Sequence, residues 1–221
     1  PRPEKKIREI PSVGYVNGLA VYGANMGAVM EVEATARKVS IRKGSIRITG
    51  IIDEEEISNQ NRKMIRKSTA RCSVENVITV IEKIFNLNCD EYDIHINFSG
   101  GVPVDGPSAG VSIATAIYSA IKNIPVNNEV AMTGEISIHG DVKPIGGVNA
   151  KIQAAKKAGA KIVIIPIENW QDSFSKLEEI KVIPVKNINE VLDVSMIKEN
   201  KDNSTVQIET NVDVLSAESA T

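Results

Sequence analysis

One serine of this chain has neighbours typical of a catalytic nucleophile. Ser108 lies in Gly106-Pro107-Ser108-Ala109-Gly110, which matches the G-x-S-x-G pattern of a nucleophile elbow. A strand-like segment (92–98) precedes it, and an apolar, small-residue-rich segment (111–120) typical of a buried helix follows it. Because a helix N-terminus directs backbone N–H groups at a neighbouring anion, this arrangement suits acyl transfer. The same five residues also fit a simple turn before a helix.

A histidine is the usual base for such a serine, and the sequence contains two. His95 lies in the alternating strand-like segment, whereas His139 lies near a predicted turn at the surface. A serine–histidine–acid triad would need His139 with Glu129 or Glu135. All three lie close to Ser108 in the sequence, which leaves little room for the usual fold of such hydrolases. An elbow-type esterase that uses His139 remains the alternative.

A lysine can replace the histidine, and Lys151 is the best placed candidate. It lies in the first turn of a predicted helix that Gly146 and Gly147 open. Burial and the positive end of the helix dipole both disfavour a protonated amine, so a buried lysine here could accept a proton. The neighbours on its predicted face are apolar or small: Val148, Ala154 and Ala155. Taken alone, an ordinary structural lysine fits this position as well.

The elements around these residues predict an α/β fold of the mixed α+β kind, with a strand-rich N-terminal part and later βα units. Alternation predicts antiparallel strands within 13–39 and further strands at 45–50, 92–98, 129–138, 161–166 and 181–185. The patterns predict helices at 54–71, from Ser73 as N-cap to Asn86, at 111–120, from Val148 to Ala158 before Gly159, and at 169–177.

Composition narrows the classes of function. The net charge of -2 argues against a nucleic-acid-binding surface, and no window reaches the ~18 to 20 apolar residues of a membrane span. Cys72 and Cys89 have no metal-ligand spacing, and we expect both to be buried free thiols. Residues 1–11 are charged and punctuated by proline, as in a linker, and residues 196–221 form a polar segment that we expect to be disordered.

Three segments together resemble the proteolytic domain of Lon proteases. They are 103–110 (Pro-Val-Asp-Gly-Pro-Ser-Ala-Gly), Thr133-Gly134-Glu135-Ile136 and 140–151 (Gly-Asp-Val-Lys-Pro-Ile-Gly-Gly-Val-Asn-Ala-Lys). Their order and the interval of 43 residues from serine to lysine match that family. The resemblance covers nearly all of 12–195. The segment Asn17-Gly18-Leu19-Ala20-Val21 favours the archaeal, membrane-anchored type.

The resemblance implies a role for each site residue. Ser108 is then the nucleophile of a Ser-Lys dyad, Lys151 its general base, and Thr133 the residue whose hydroxyl helps to hold the lysine. Asp105 corresponds to a family acid near the active site, with either a catalytic or a loop-stabilising role. The backbone of the loop around Gly106 and Pro107 would stabilise the oxyanion, and no metal is needed.

The resemblance also implies partners outside this chain. Residues 12–195 would be the proteolytic domain, and residues 1–11 the linker from an absent upstream ATPase domain. The resemblance implies that this domain binds ATP and Mg, whereas the present sequence contains no G-x-x-x-x-G-K-[ST] motif for binding ATP phosphates. We expect unfolded polypeptides as substrates, a homo-hexamer, and a cytoplasmic protein whose full-length form is anchored to the cytoplasmic face of the membrane, with no membrane contact from this segment. A non-catalytic interaction domain of the same fold remains a second alternative.

Overall fold

The computed structural model describes residues 6–22, 26–50, 56–59, 62–65, 69–99 and 106–197. Within these residues the strands are β1 (Tyr15–Tyr22), β2 (Met26–Lys38), β3 (Ile46–Gly50), β4 (Glu56–Asn59), β5 (Arg62–Ile65), β6 (Tyr92–Ser99), β7 (Val130–Met132), β8 (Glu135–Ile136), β9 (Val142–Lys143), β10 (Ile162–Pro166) and β11 (Lys181–Val185). The α-helices are α1 (Thr69–Phe85), α2 (Gly110–Lys122), α3 (Val148–Ala158) and α4 (Ile188–Ser195).

The central sheet is mixed and has seven strands among the described residues, in the order β11-β10-β7-β1-β2-β6-β3. The four strands from β11 to β1 are parallel to one another. Strands β1, β2 and β6 form an antiparallel meander, and β3 runs parallel to β6 at the edge. The predicted α/β class, with a strand-rich first part and later βα units, is therefore confirmed.

Helices cover both faces of the sheet because the strands alternate their apolar side chains between two cores. Val130 and Met132 of β7 face the core that contains α1, α2 and α4. Ala131, between them, faces the second core, which contains Val148 and Ile152 of α3. Helix α2 is buried almost all round, because α1 covers the side that does not face the sheet. Helix α2, which begins directly after the Ser108 turn, and helix α3, which contains Lys151, thus lie on opposite faces of the sheet.

Two predicted helices are absent, and a third begins earlier than predicted. Residues 56–59 and 62–65 of the predicted 54–71 helix form the antiparallel pair β4–β5, with Ile57 opposite Met64. The stretch Ser58-Asn59-Gln60-Asn61 is a turn signal, and the order of acids before bases suits a hairpin as well as a helix. Helix α1 begins at Thr69, so Ser73 lies inside it and is not its N-cap. Two short 3₁₀ turns, Ile167–Asn169 and Asp172–Lys176, stand where a helix is predicted at 169–177.

Helix α4 was not among the predicted elements, although its start carries a readable signal. The Asn187 side chain accepts a hydrogen bond from the backbone N–H of Glu190, at 3.1 Å. The Glu190 carboxylate in turn accepts one from the backbone N–H of Lys186, at 2.7 Å. This reciprocal arrangement resembles a capping box, a local pattern that sequence inspection can detect.

The cysteine prediction holds for one residue only. Cys89 is buried, and its burial, with Glu82 and Asp90 nearby, raises the pKa of its thiol to about 12. Cys72 is exposed on α1, so the expectation that it is buried was wrong. Within the described ranges no group of histidine, cysteine and acidic residues is suited to hold a metal ion. Nor does any helix there combine the length and the apolar character needed to cross a membrane.

The structure describes only part of each predicted terminal segment. Residues 1–5 of the predicted linker and residues 198–221 of the predicted tail are not described. The remaining part of the linker contacts the domain: the backbone N–H of Ile7 donates to the Ala158 carbonyl at 3.1 Å. Asn128 donates from its side chain to the Arg8 carbonyl at 2.8 Å. Residues 6–11 therefore follow the surface of the domain.

Candidate active site

Ser108 occupies a buried turn at the start of α2. It is the middle residue of a 3₁₀ turn, Pro107–Ala109, which runs directly into Gly110 of the helix. The backbone N–H of Ala109 donates to the Gly106 carbonyl at 3.3 Å and closes this turn. Ser108 is only 3% exposed. The predicted strand–loop–helix setting of the serine is present, since β6 ends at Ser99 and the turn leads into α2.

The second glycine of the motif permits a close approach of another segment. A Cβ atom on Gly110 would lie 2.9 Å from the backbone nitrogen of Ile136, at the end of β8. This contact accompanies a pair of backbone hydrogen bonds: Val111 donates to the Gly134 carbonyl at 3.1 Å, and Gly134 donates to the Ser108 carbonyl at 3.0 Å. The segment that begins at Thr133 is thereby attached to the serine turn.

Lys151 is fully buried near the start of α3. Gly147 precedes the helix with a φ of 67°, and the Lys151 N–H donates to its carbonyl at 3.1 Å. The lysine is 0% exposed, and among the described residues it is the largest by volume of those that are fully buried. Its Nζ donates to the Thr133 hydroxyl oxygen at 3.3 Å. The buried environment that the sequence made possible for this lysine is therefore present.

Thr133 connects the lysine to the serine. It is fully buried and directly follows β7, and its backbone N–H donates to the Ile164 carbonyl at 3.1 Å. Its hydroxyl accepts from Lys151 and donates to the Ser108 carbonyl at 3.4 Å. A chain of hydrogen bonds thus runs from the lysine amine through the threonine to the backbone of the serine. Three predicted site residues that are distant in sequence meet here.

The topology explains why they meet. Helix α2 begins on one face of the sheet and α3 on the other, and both starts reach the carboxyl end of β7, where Thr133 lies. The carboxyl ends of parallel strands are the usual position of ligand sites in α/β folds. The positive ends of two helix dipoles meet at this point, which favours a developing negative charge and disfavours an ammonium ion.

The remaining predicted site residues lie elsewhere or are not described. Asp105 lies outside the described residues, so neither of its roles is tested. Gly106 is buried, and Pro107 is the first residue of the serine turn. His139 is exposed between β8 and β9, where its backbone N–H donates to the Ser137 hydroxyl. Glu129 and Glu135 are exposed, whereas the partly buried His95 has its Nε2 3.0 Å from the Thr49 hydroxyl.

An open groove of about 510 Å³ runs beside the start of the lysine helix. Its lining combines small and apolar residues with three carboxamides: Ile145, Gly147, Val148, Asn149, Ala150, Gln153 and Asn169. The Asn169 carboxamide holds the Ile145 backbone: its Oδ1 accepts a hydrogen bond from the Ile145 N–H, and its Nδ2 donates one to the Ile145 carbonyl, both at 2.9 Å. These bonds fix one wall of the groove next to Gly147.

Comparisons with known proteins find relatives that cover most of this chain. A family model described as the Lon protease (S16) C-terminal proteolytic domain matches residues 2–198. The "Lon protease 2" of Bacillus subtilis (strain 168) is 51% identical over 211 residues, which cover 96% of this chain and 38% of that protein. The "Archaeal Lon protease" of Halobacterium salinarum is 42% identical over 201 residues, which cover 88% of this chain and 27% of that protein.

A further archaeal relative is much longer than this chain. The "Archaeal Lon protease" of Pyrococcus abyssi is 41% identical over 194 residues, which cover 86% of this chain but 18% of that protein. The chain therefore spans less than two fifths of the length of these curated relatives. Similarity extends over the whole fold described above, and it includes both bacterial and archaeal proteins.

Proposed function

The chain belongs to the Lon protease family as its C-terminal proteolytic domain, a serine endopeptidase, and we propose that Ser108 is its nucleophile and Lys151 its general base. The observation that carries this proposal is the buried chain of hydrogen bonds from Lys151 Nζ through the Thr133 hydroxyl to the Ser108 carbonyl. This contact of Lys151 with the backbone of Ser108 supports the proposed pairing of base and nucleophile. The two helix N-termini at this point add a field that suits an anionic intermediate.

The proposed reaction begins with transfer of the Ser108 hydroxyl proton to neutral Lys151. The serine oxygen then forms a bond to the peptide carbonyl carbon, and the carbonyl oxygen becomes an oxyanion. Backbone N–H groups of the turn that starts at Gly106 stabilise this charge, with a contribution of about 3 kcal/mol per donor. The C–N bond breaks as the lysine ammonium returns its proton to the leaving amine. Water then attacks the acyl-enzyme, again with lysine as base, and Ser108 regains its proton.

Full burial of Lys151 supports its role as a base. Removal of an ammonium from water disfavours the charged form, and the start of α3 adds a positive dipole end. The Thr133 hydroxyl gives the amine a neutral hydrogen-bond acceptor. Burial and the helix dipole thus favour the free amine, which is the form that can take the serine proton.

Hydrolysis of an unstructured fluorogenic peptide tests the dyad. Ser108→Ala and Lys151→Met should each reduce turnover by about 10³-fold or more, because removal of either member of a catalytic pair abolishes the contribution of both. Activity of the parent should rise with pH as Lys151 loses its proton. Lys157→Met is the matched control, since Lys157 is an exposed lysine of the same helix. Circular dichroism should confirm that all variants are folded.

The same assay separates the dyad from the histidine alternative. A triad that uses His139 predicts that His139→Ala abolishes turnover while Lys151→Met retains it. The dyad predicts the opposite, in keeping with the exposed position of His139. Retained activity in Lys151→Met would therefore contradict the proposal. The parent should also be assayed as part of the full-length protein, because loops of such sites can depend on a partner for their order.

We further propose that this domain acts within a larger ATP-dependent protease. The family and the greater length of the relatives support an upstream ATPase domain that binds ATP and Mg, a homo-hexamer, and unfolded polypeptides as substrates. A cytoplasmic location, with the full-length protein anchored to the membrane as in the archaeal type, stays a prediction, because the relatives include both bacterial and archaeal proteins. Degradation of an unfolded protein by the full-length protein should require ATP and Mg, and peptide hydrolysis by this chain should not.

A further inference from the structure

A serine of α1 reaches the turn that carries the nucleophile. The Ser73 hydroxyl donates to the Gly106 carbonyl at 2.6 Å, between residues 33 positions apart in the sequence. Both residues are buried, and Ser73 is 7% exposed. We propose that Ser73 is a positioning residue for the nucleophile, acting through the Gly106 peptide. This inference rests on the proposed role of Ser108.

The hydroxyl of Ser73 makes a different bond from those usual for hydroxyls inside helices. Serine and threonine there commonly bond to the carbonyl four residues earlier. Thr79 of the same helix does so with Glu75, and Ser195 of α4 does so with Val191. Ser73 instead bonds across the structure to another element. Its hydroxyl therefore serves the serine turn, and not the continuity of α1.

The Gly106 carbonyl is the point at which the serine turn is fixed. It accepts the Ala109 N–H at 3.3 Å, which closes the 3₁₀ turn, and it accepts the Ser73 hydroxyl at the shorter distance of 2.6 Å. The peptide that joins Gly106 to Pro107 has no N–H, because proline lacks one. Its carbonyl is thus the only group through which hydrogen bonds can orient this peptide plane, which lies one peptide before the one that joins Pro107 to Ser108.

Helix α1 is a rigid support for this contact. Three of its side chains, Val74, Val77 and Ile81, are 2% exposed or less. Twelve residues after Ser73, the ring of Phe85 packs on Tyr118 of α2, with centroids 4.8 Å apart. Tyr118 lies the same number of residues after Gly106, so α1 runs alongside the serine turn and α2 over this length. The position of the Ser73 hydroxyl is therefore set by packing along the whole helix.

Loss of this hydroxyl should reduce the rate without changing the base. A released Gly106 carbonyl can rotate, which would shift both the Ser108 side chain and the N–H groups of its turn. Displacement by about 1 Å can cost about 100-fold in rate, and loss of one hydrogen bond corresponds to about tenfold. We expect Ser73→Ala to lower kcat about tenfold. The pH at half-maximal activity should not change, because the Lys151–Thr133 contact does not involve Ser73.

The experiment compares Ser73→Ala with Ser195→Ala, which removes another buried serine hydroxyl. Both variants are made in the full-length protein, and kcat, KM, the pH profile and the affinity for a peptide boronate are measured. We expect Ser73→Ala to lose boronate affinity by the same factor as kcat, with KM nearly unchanged. Ser195→Ala should lose thermal stability only. Ser73→Thr, which keeps the hydroxyl, should restore most of the rate.

Two results would overturn the inference. One is a kcat for Ser73→Ala within twofold of that for Ser195→Ala at equal folded fraction. The other is a shift in the pH profile, which would mean that Ser73 acts on the base and not on the nucleophile. If Ser73→Ala does not fold, Ser73→Cys keeps nearly the same volume with a much weaker donor and should show the same loss. Ser108→Ala is assayed in parallel, so retained activity there would identify failure of the dyad itself.

Discussion

At the scale of single residues, the unusual feature is a fully buried lysine that donates to a threonine hydroxyl. Burial disfavours the ammonium ion, and a hydroxyl oxygen can accept a hydrogen bond from the free amine as well as from the ammonium. Thr133 also joins Lys151 to the backbone of Ser108, so it orients the proposed base relative to the proposed nucleophile. Its side chain therefore has a function that a buried apolar residue of the same shape could not supply.

Thr133→Val tests this function, because valine has nearly the shape of threonine without the hydroxyl. We expect kcat/KM to fall about 10- to 100-fold, since the base loses one of its fixed contacts and a positioned base contributes about 10²- to 10⁴-fold in total. Thr133→Ser should retain most of the activity. Thr115→Val is the control: Thr115 is also fully buried, but its hydroxyl bonds to Val111 within α2. Equal losses of activity in both variants would rule out a specific role for Thr133.

Sequence patterns were sufficient for some of these residues and not for others. Ser108, Lys151 and Thr133 stand in segments whose order and spacing carry a family resemblance, and the structure brings all three together. Ser73 was read as a helix N-cap, because a serine before an apolar periodic segment is a common helix start. Its bond to Gly106 spans 33 residues and depends on the packing of α1 against α2, which no local pattern contains.

At the scale of elements, the position of Lys151 depends on where α3 begins. Its predicted bounds, Val148 to Ala158, are those observed, because both ends carry strong local signals. Gly147 has a φ of 67° before the helix, and Gly159 a φ of 94° after it. The antiparallel pair β4–β5, in contrast, has no glycine near its strand ends and only the weaker signal of Ser58-Asn59-Gln60-Asn61, and its charge order allowed a helix to be predicted. Local backbone chemistry therefore predicts boundaries better than charge order does.

The adjacent glycines before α3 allow a matched test of this element. Gly147→Ala should lower the free energy of unfolding by about 1–3 kcal/mol, because its φ is left-handed and its Cβ would lie 2.6 Å from Val21. Gly146→Ala should change it by less than about 1 kcal/mol, since no atom of the described residues lies within 4 Å of where its Cβ would be. Urea unfolding measures both values. Peptidase activity of the folded protein should fall for Gly147→Ala only, because a displaced helix start moves Lys151.

At the scale of the whole molecule, the site exists only when both faces of the sheet are assembled. Helix α2 packs on one face with α1 and α4, and α3 packs on the other. The proposed nucleophile and base, Ser108 and Lys151, are 43 residues apart in sequence and meet at the carboxyl end of β7. Catalytic competence is thus a property of the complete domain. Its boundaries consequently determine the smallest active chain, and the N-terminal boundary at residue 12 can be tested directly.

The N-terminal boundary depends on whether residues 6–11 act only as a linker. Two hydrogen bonds attach this segment: the Ile7 N–H donates to the Ala158 carbonyl at the end of α3, and the Asn128 side chain donates to the Arg8 carbonyl. The Arg8 guanidinium also pairs with the Glu31 carboxylate at 3.1 Å and lies 3.5 Å from the centroid of the Tyr15 ring. Together these contacts contribute about 2 kcal/mol, which corresponds to about 5 °C in Tm for a chain of this size. A chain that begins at residue 12 should therefore melt about 5 °C below the parent in differential scanning calorimetry. A chain that begins at Lys6 keeps all of these contacts and should melt with the parent. Equal melting of all three chains would mean that residues 6–11 are a linker and that the domain begins at residue 12.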